Sequence, residues 1–398
     1  MGAQVDNNIS FTEERYRAKC SDLYNRERME GQIIILHIFP RSVFLRDFVQ
    51  FLERNYDPAE HGIITFGKDE SGSIERLENA GAFDIIDLDN RDDLENFNNL
   101  RHIIKKIGVS DIDLIVLHSL TMSSLDIVYF ILHPQLIRKT VWVIWGADLY
   151  DITTKVPYMR PLYFTLKKVF ARNIPYVVAR PPDYKRLQQW YRSSATHIYV
   201  EPLYGGEVIA NAPRHSRDHA SQTFNIILGN SATKTNRHLD ALEILSKYKD
   251  ADIKIHIPLS YGDAQYAEMV KTKARSIFGE KVVFLETFMP PDEYWRYLTQ
   301  MDIAIFNNNR QQALGNLAYM LATGAKIYLN DDSALWEIFT GLNFTVHSIN
   351  NLREVDYEEF VDLDQNELDA NSQNARKIYS EEHSVMCWNK VFALANKS

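Results

Sequence analysis

The chain has 398 residues, of which 45% are apolar and 24% charged, and its formal net charge is −9 at pH 7. This length exceeds the usual limit for one hydrophobic core and predicts two domains, while the near-average composition excludes disordered and fibrous classes. The acidic balance argues against broad nucleic-acid binding. No apolar run approaches the roughly 20 residues that cross a bilayer, and residues 1–30 lack the apolar core of a signal peptide.

The first half of the chain alternates strands and helices after a charged N-terminal extension at 1–30. Continuous apolar runs are typical of strands covered on both faces, and helical stretches between them predict a parallel α/β sheet. The predicted strands are 31–39, 62–66, 83–88, 113–119, 140–145, 175–179 and 196–200. We therefore assign residues 31–206 to an N-terminal Rossmann-like domain.

A polar stretch without periodicity, residues 207–222, predicts a linker. The alternation then resumes over 223–379, which we assign to a second doubly wound, Rossmann-like domain. Its predicted strands are 224–229, 252–259, 281–286, 302–307 and 326–330, and its predicted helices are 236–248, 264–279, 291–301 and 311–324. An amphipathic C-terminal helix, 380–398, is expected to pack back on the N-terminal domain.

Three strand-to-helix loops of the second domain have the composition of a ligand site. Because parallel strands share a carboxyl edge, the loops are expected to face the same way. They contain Gly229, Asn230 and Ser231; Ser260, Tyr261 and Gly262; and Arg310 with Gly315.

The composition of the third loop favours binding of an anion. The helix predicted at 311–324 presents unpaired N–H groups, Gly315 in its second turn leaves room for a ligand, and Arg310 offers donors that match phosphate. The alternative is an ordinary solvated loop with a helix cap. Neither a dinucleotide-binding nor a P-loop glycine pattern occurs, which disfavours hydride transfer and ATP hydrolysis and leaves a sugar nucleotide. The short D-x-D triplets fit structural roles, so we expect neither a metal nor a cofactor.

The acceptor side is predicted in the first domain. Asp148, flanked by Trp145 and Tyr150, follows a buried strand and is our candidate general base; alternatively it caps the next helix. His37 and His118 lie on or at the end of apolar strands, where each is either a hydrogen-bonded core residue or a ligand contact.

Residues 155–186 carry eight basic side chains against one acid, with aromatic residues interleaved. Such a stretch can lie on an anionic membrane surface. The alternative is a core helix with a solvated basic face. Two cysteines without zinc spacing, Cys20 and Cys387, fit a reducing cytoplasm.

Several motifs together resemble one enzyme family. These are FGKD (66–69), WGADLY (145–150), LGNS (228–231), IPLSYG (257–262) and RQQALGNL (310–317), with His37, His118, Arg180 and Gly324. On these residues the chain resembles glycosyltransferase family 56, the 4-acetamido-4,6-dideoxygalactose (Fuc4NAc) transferases of enterobacterial-common-antigen synthesis. The resemblance begins near residue 31 and is weak over 340–380.

The resemblance implies a GT-B architecture, two Rossmann-like domains facing a central cleft. It also implies a dTDP-activated deoxyamino sugar as donor, a polyprenyl-diphosphate-linked saccharide as acceptor, and a peripheral position on the cytoplasmic face of the bacterial inner membrane. Gln311, Gln312 and Asn316 would join the loop residues in holding the donor, and Arg180 would lie on the acceptor side with Asp148. A sugar-nucleotide 2-epimerase and a non-catalytic carbohydrate-binding assembly protein are the alternatives.

Overall fold

The computed structural model describes residues 34–67, 85–88, 99–150, 161–203, 206–215 and 223–397. The chain divides into two compact units, one formed by Met1–Gly205 with Ser384–Ser398 and the other by Gly206–His383. Each unit is built on one parallel sheet with helices between its strands. Within the described ranges, no helix combines the length and apolar character needed to cross a bilayer. The N-terminal extension, 1–30, lies outside the described residues.

The sheet of the first unit has seven strands in the order β3-β2-β1-β4-β5-β6-β7, and all neighbours are parallel. The strands are β1 (Ile35–Pro40), β2 (His61–Phe66), β3 (Ile85–Leu88), β4 (Leu114–His118), β5 (Thr140–Val143), β6 (Tyr176–Val178) and β7 (Thr196–Ile198). The order reverses between β1 and β4, which are both almost wholly buried, as their continuous apolar sequences predict.

The helices of this unit follow in chain order. They are α1 (Val43–Asn55), α2 (Asn99–Ile107), α3 (Ser124–Leu132), α4 (Pro134–Arg138), α5 (Ala147–Tyr150), α6 (Pro161–Asn173) and α7 (Pro181–Arg186), which continues as a π-helical segment over Leu187–Tyr191. The C-terminal helix, Glu381–Phe392, packs on this unit from Ser384 onward: the Trp388 and Phe48 ring centroids are 5.0 Å apart, and those of Phe392 and Tyr56 are also 5.0 Å apart.

The second unit contains a six-stranded parallel sheet in the order β10-β9-β8-β11-β12-β13. Its strands are β8 (Phe224–Leu228), β9 (Ile253–Pro258), β10 (Val282–Leu285), β11 (Ile303–Phe306), β12 (Lys326–Leu329) and β13 (His347–Ser348). Here the order reverses between β8 and β11. Ligands of open α/β sheets bind at the carboxyl ends of the strands at such a reversal.

The helices of the second unit are α8 (Glu207–Ala210), α9 (His238–Leu245), α10 (Ala264–Phe278), α11 (Pro291–Leu298), α12 (Leu314–Thr323), α13 (Ala334–Gly341), α14 (Tyr357–Val361) and α15 (Gln365–Ile378). Short 3₁₀ turns lie in the second unit at Lys234–Asn236, Ser246–Tyr248, Gly279–Lys281 and Asn351–Arg353. Two more lie in the first unit, at Pro58–Glu60 and Ala393–Lys397. Local chemistry sets the ends of α10: the Asp263 side chain accepts from the Tyr266 N–H, and Gly279 at φ +57° ends the helix.

Two segments differ from their predicted form. The helix predicted at 311–324 begins at Leu314, because Ala313 adopts the left-handed conformation (φ +60°) and interrupts helical geometry before it. Consequently Gly315 lies in the first turn, not the second. The first residues of the predicted linker form α8, which is held to the second unit because Arg376 donates to the carbonyl oxygens of Ala210, at 2.8 Å, and Ala212.

Candidate functional site

The candidate site lies where the sheet order reverses in the second unit. Three loops leave the carboxyl ends of neighbouring strands there: residues 229–237 after β8, 259–263 after β9 and 307–313 after β11. We call them the three-loop site. Each was singled out from the sequence, and the shared carboxyl edge explains why they lie side by side.

One asparagine organises the loop after β8. Asn236 accepts the Asn230 N–H on Oδ1 at 3.1 Å. Its Nδ2 donates to the carbonyl oxygen of Ser231 at 3.0 Å, to the Ser231 hydroxyl at 3.1 Å and to the Thr233 hydroxyl at 2.8 Å. Gly229 opens the turn at φ +69°, where an added Cβ would lie 2.4 Å from His238 Nε2. The loop is therefore pre-formed, and Gly229 is required for its geometry.

The loop after β9 is fastened to the loop after β8 through the backbone. The Ala232 N–H donates to the Tyr261 carbonyl and the Asp263 N–H to the Ala232 carbonyl, both at 2.8 Å. Gly262 lies between these bonds at φ +120°, and an added Cβ would lie 2.5 Å from the Ala232 carbonyl oxygen. Only glycine fits this close approach.

A chain of side-chain hydrogen bonds then links all three loops. Arg310 Nε donates to Gln312 Oε1 at 3.0 Å, and Gln312 Nε2 donates to Asn230 Oδ1 at 2.9 Å. Asn230 Nδ2 in turn donates to the Tyr261 hydroxyl at 3.0 Å, while the Thr235 hydroxyl donates to Gln312 Oε1 at 2.7 Å. The structure thus brings together Asn230, Tyr261, Arg310 and Gln312. Ser260 and Gln311 are half-buried in the same loops.

The N-terminus of α12 completes the three-loop site. Ala313, the residue before the helix, makes no side-chain cap. The first turn of α12, which lies within the described residues, contains no acidic residue. The first helical N–H groups, with their partial positive charge, therefore suit an anion. At Gly315 an added Cβ would have only Trp295 nearby, at 4.0 Å, and Asn316 Nδ2 donates to the Tyr294 hydroxyl at 3.0 Å.

Two residues that the sequence analysis missed line the end of β11 and this helix. Asn308 is wholly buried and neither atom of its amide has a hydrogen-bond partner in the described structure. Native proteins seldom leave a buried amide unpaired, which makes Asn308 unusual among the residues of this loop. Tyr294 was also missed; burial raises its pKa well above the usual value, so it is a neutral phenol. The run of three asparagines at 307–309 was the available signal for Asn308.

Asp148 does not fit the role of general base. It is buried, and Oδ2 accepts from the Leu120 N–H and the Trp142 indole N–H, both at 2.8 Å, while Oδ1 accepts from the Trp145 N–H at 3.0 Å. Three donors occupy the carboxylate. These contacts are structural, but they are not the helix cap of the stated alternative. Asp148 is the second residue of α5, and its carboxylate holds the loop between β5 and α5 in place.

His37 and His118 are core residues in this structure. Both are wholly buried, with His37 Nδ1 3.1 Å from His118 Nε2 and His37 Nε2 2.9 Å from His61 Nδ1. Burial lowers the pKa of His37 and of His118 well below the usual value, and it lowers the pKa of His61 to about 4. The three neutral rings pair with one another, which corresponds to the core alternative for both predicted residues.

The other predicted acceptor-side residues also have internal partners. Arg180 is buried and donates through Nε and Nη2 to the carboxylate of Glu201, at 2.7 and 3.1 Å. The Tyr150 hydroxyl donates to Asp183 at 3.1 Å, and the half-buried Trp145 meets Phe39 edge to face, with centroids 5.4 Å apart. Four of the predicted donor-side residues, Asn230, Tyr261, Arg310 and Gln312, therefore form one network, whereas those of the acceptor side are distributed through the first unit. Among the described residues, no three His, Cys, Asp or Glu side chains are placed to hold a metal ion.

Solved structures with the same architecture define the class of fold. A glycosyltransferase from Rickettsia africae ESF-5 is 16% identical, with 92% of this chain and 100% of that one covered at a TM-score of 0.65. HepE of Anabaena, solved with UDP and glucose, is 11% identical over 92% and 100% at 0.59. WaaG, a glycosyltransferase involved in lipopolysaccharide biosynthesis, is 13% identical over 92% and 100% at 0.55. The fold is that of the GT-B glycosyltransferases, as the sequence predicted.

The family assignment is more specific than the fold. The profile of the 4-alpha-L-fucosyltransferases, glycosyl transferase group 56, matches residues 103–393, and the chain belongs to this family. The protein is therefore a hexosyltransferase, with a nucleotide sugar as donor and a glycan as acceptor. The resemblance stated from the motifs is confirmed.

Proposed function

We propose that the protein transfers a 4-amino-4,6-dideoxyhexose, Fuc4NAc or a close relative, from a dTDP-sugar to a polyprenyl-diphosphate-linked saccharide in bacterial surface polysaccharide synthesis. The observation that carries the donor half is the three-loop site: a hydrogen-bonded network ending in Arg310, next to the uncapped N-terminus of α12. Such an arrangement suits a nucleoside diphosphate.

The chemistry required of this site is stabilisation of the departing diphosphate. Arg310 donates to Gln312 through Nε, which leaves the two terminal nitrogens of the guanidinium to donate to phosphate oxygens. The N–H groups of the first turn of α12 add fixed dipoles of the same sign. Positive groups held in position before the reaction stabilise developing charge without reorganisation. We propose that they do so without a divalent metal.

The donor nucleotide is tested by ligand-dependent unfolding. At a dTDP concentration about 100 times the Kd of dTDP, this nucleotide should raise the free energy of unfolding by about 2.7 kcal/mol. UDP and GDP at the same concentration should raise it less. A larger effect of UDP or GDP would overturn the proposed donor. The experiment is repeated with excess EDTA, and loss of the dTDP effect would overturn the proposed independence from metal.

The role of Arg310 is tested by replacing it with alanine. Transfer from the dTDP-sugar should fall by about 10² or more, because a positive group next to the leaving diphosphate is removed. Arg353→Ala is the matched control, since Arg353 is exposed in the same unit on a 3₁₀ turn remote in sequence from the three loops. Equal activity of the two variants would exclude the leaving-group role.

The acceptor half of the proposal includes a peripheral position on the cytoplasmic face of the inner membrane. The basic stretch 155–186 lies partly outside the described residues, and within the described part several cations have internal partners. Lys167 donates to the Asp148 carbonyl, Arg172 to that of Tyr191 and Arg180 to Glu201. These contacts favour the alternative of a structural basic helix for those side chains. Lys168, Arg172 and Lys185 still reach the surface.

A further inference from the structure

Helix α3 is apolar except for Ser124, Asp126 and the Tyr129 hydroxyl, although part of its surface is exposed. In its sequence SLDIVYFIL, Ile127 and Phe130 are buried in the core of the first unit. Leu125 and Leu132, seven positions apart and so on one face of the helix, are 53% and 70% exposed. Surface helices normally carry polar residues on that face. Single exposed leucines are common, but a helix without a polar outer face indicates a partner.

Helix α6, the neighbour of α3, also exposes a leucine near its start. The helices pack together, with the rings of Phe130 and Phe170 in edge-to-face contact at 5.9 Å. Helix α3 starts six residues after β4 and α6 ends three residues before β6, so both run from the carboxyl edge of the parallel sheet to its amino edge. Leu125 and Leu162 are each the second residue of their helix, and Leu162 is 67% exposed. We call Leu125, Leu132 and Leu162 the leucine face.

The exposed or half-exposed charges on the described residues of α3, α4 and α6 are all positive. Exposed or half-exposed cations on α4 and α6 are Arg138, Lys168 and Arg172. Across the described residues of α3, α4 and α6 the single acid is Asp126, which is buried, accepts from the Ser123 hydroxyl at 2.6 Å and lies 3.5 Å from Arg101. The chain as a whole has a net charge of −9, so this surface departs from the rest.

We propose that the leucine face inserts into the acyl boundary of an anionic phospholipid bilayer while the cations of α4 and α6 contact the headgroup phosphates. Exposed leucines bordered by basic residues are complementary to such a surface. A second copy of this acidic chain is the other occupant the geometry admits. The inference rests on the proposed function, because a lipid-linked acceptor requires the enzyme to work at a membrane.

Vesicle co-sedimentation of the full chain tests the proposal. The readout is retention, the fraction of the protein that sediments with the vesicles. Retention should be high on vesicles of phosphatidylglycerol mixed with phosphatidylcholine and lower on pure phosphatidylcholine vesicles. Leu125→Asp combined with Leu132→Asp should reduce retention about tenfold or more, since apolar area is lost and negative charge is added. Met269→Asp is the matched control: Met269 is 51% exposed on α10 of the other unit, and its replacement should leave retention unchanged.

The variants also separate failure of this inference from failure of the proposed function. The leucine face is remote from the three-loop site along the chain, so dTDP should stabilise the double variant against unfolding as it does the original protein. Normal retention of a folded double variant would overturn membrane insertion, even if dTDP binding holds. Dimers of the original protein that the double variant abolishes, with retention unchanged, would instead assign the leucine face to self-association and also overturn the proposal.

Discussion

Gln312 donates a hydrogen bond to Asn230 at 2.9 Å, although 82 positions separate the two residues. The bond joins the loop after β11 to the loop after β8 across the reversal of the sheet. Because Gln312 also accepts from Arg310, it couples the position of the guanidinium to a rigid neighbouring loop.

Replacing Gln312 with alanine should therefore weaken dTDP binding without unfolding the protein. We expect Kd to rise about tenfold, because Arg310 loses the partner that positions its guanidinium, and a hydrogen bond from a charged group is worth about 1.5 kcal/mol. Calorimetric titration measures the change. Gln300→Ala is the control, since Gln300 is exposed in the same unit and its side-chain amide donates to the neighbouring Arg296 carbonyl, at 3.5 Å. An unchanged Kd for Gln312→Ala would show that the network does not position Arg310.

Gly262 should tolerate no side chain. A Cβ there would meet the Ala232 carbonyl oxygen at 2.5 Å, at a φ of +120° that L-residues rarely adopt. We expect Gly262→Ala to lower the free energy of unfolding by about 2 kcal/mol. At Gly341 the space around an added Cβ is open, so Gly341→Ala should be neutral or slightly stabilising. Urea unfolding compares the two, and equal stabilities would contradict the steric argument.

The sequence predicted the arrangement of the site residues better in the second unit, which contains the three-loop site, than in the first unit. Continuous apolar runs determine which segments are buried strands, and parallel strands share an edge, so the convergence of the three loops followed from pattern alone. Patterns do not determine which polar atoms meet after packing. The donation from the Trp142 indole to Asp148 depends on the rotamers of both residues, and the left-handed Ala313, a residue without turn preference, gave no signal that α12 starts late.

Arg180 and Glu201 form a buried ion pair, with side chains 10% and 3% exposed. Arg180→Met should lower the free energy of unfolding by about 3–5 kcal/mol, because it leaves the Glu201 carboxylate buried without its partner. The double variant Arg180→Met with Glu201→Leu should recover most of this loss. Chemical unfolding of both single variants and the double variant gives the coupling energy. A stable Arg180→Met with poor acceptor binding would instead restore the predicted acceptor role.

Asp148→Asn separates a structural carboxylate from a catalytic one. The amide would direct at least one N–H toward the donors of Leu120, Trp142 or Trp145. We therefore expect the free energy of unfolding to fall by about 1–3 kcal/mol. Differential scanning fluorimetry and transfer assays on the same preparation measure both properties. Asp250→Asn is the control, as Asp250 is exposed just before β9 and outside the three loops. An Asp148→Asn protein of unchanged stability but without activity would favour the general base.

The paired histidines should make the first unit acid-labile. His61 has a folded pKa of about 4 because of burial, below the unfolded value of about 6.5, so above that value both states are neutral. As the pH falls from 6.5 toward 4, only the unfolded state gains a proton and stability is lost. His61 alone should remove about 2 kcal/mol between about pH 7 and pH 5.

This loss is measured by urea unfolding at the two pH values. His61→Asn should lose about 2 kcal/mol less than the original protein over the same interval, since one titrating group is gone. His102→Asn, a change at an exposed position of α2, should leave the pH dependence as it was. If His61→Asn and the original protein lost stability equally, His61 would not contribute to the acid lability, and the other histidines with lowered pKa values, His37, His118, His238 and His256, would have to account for it.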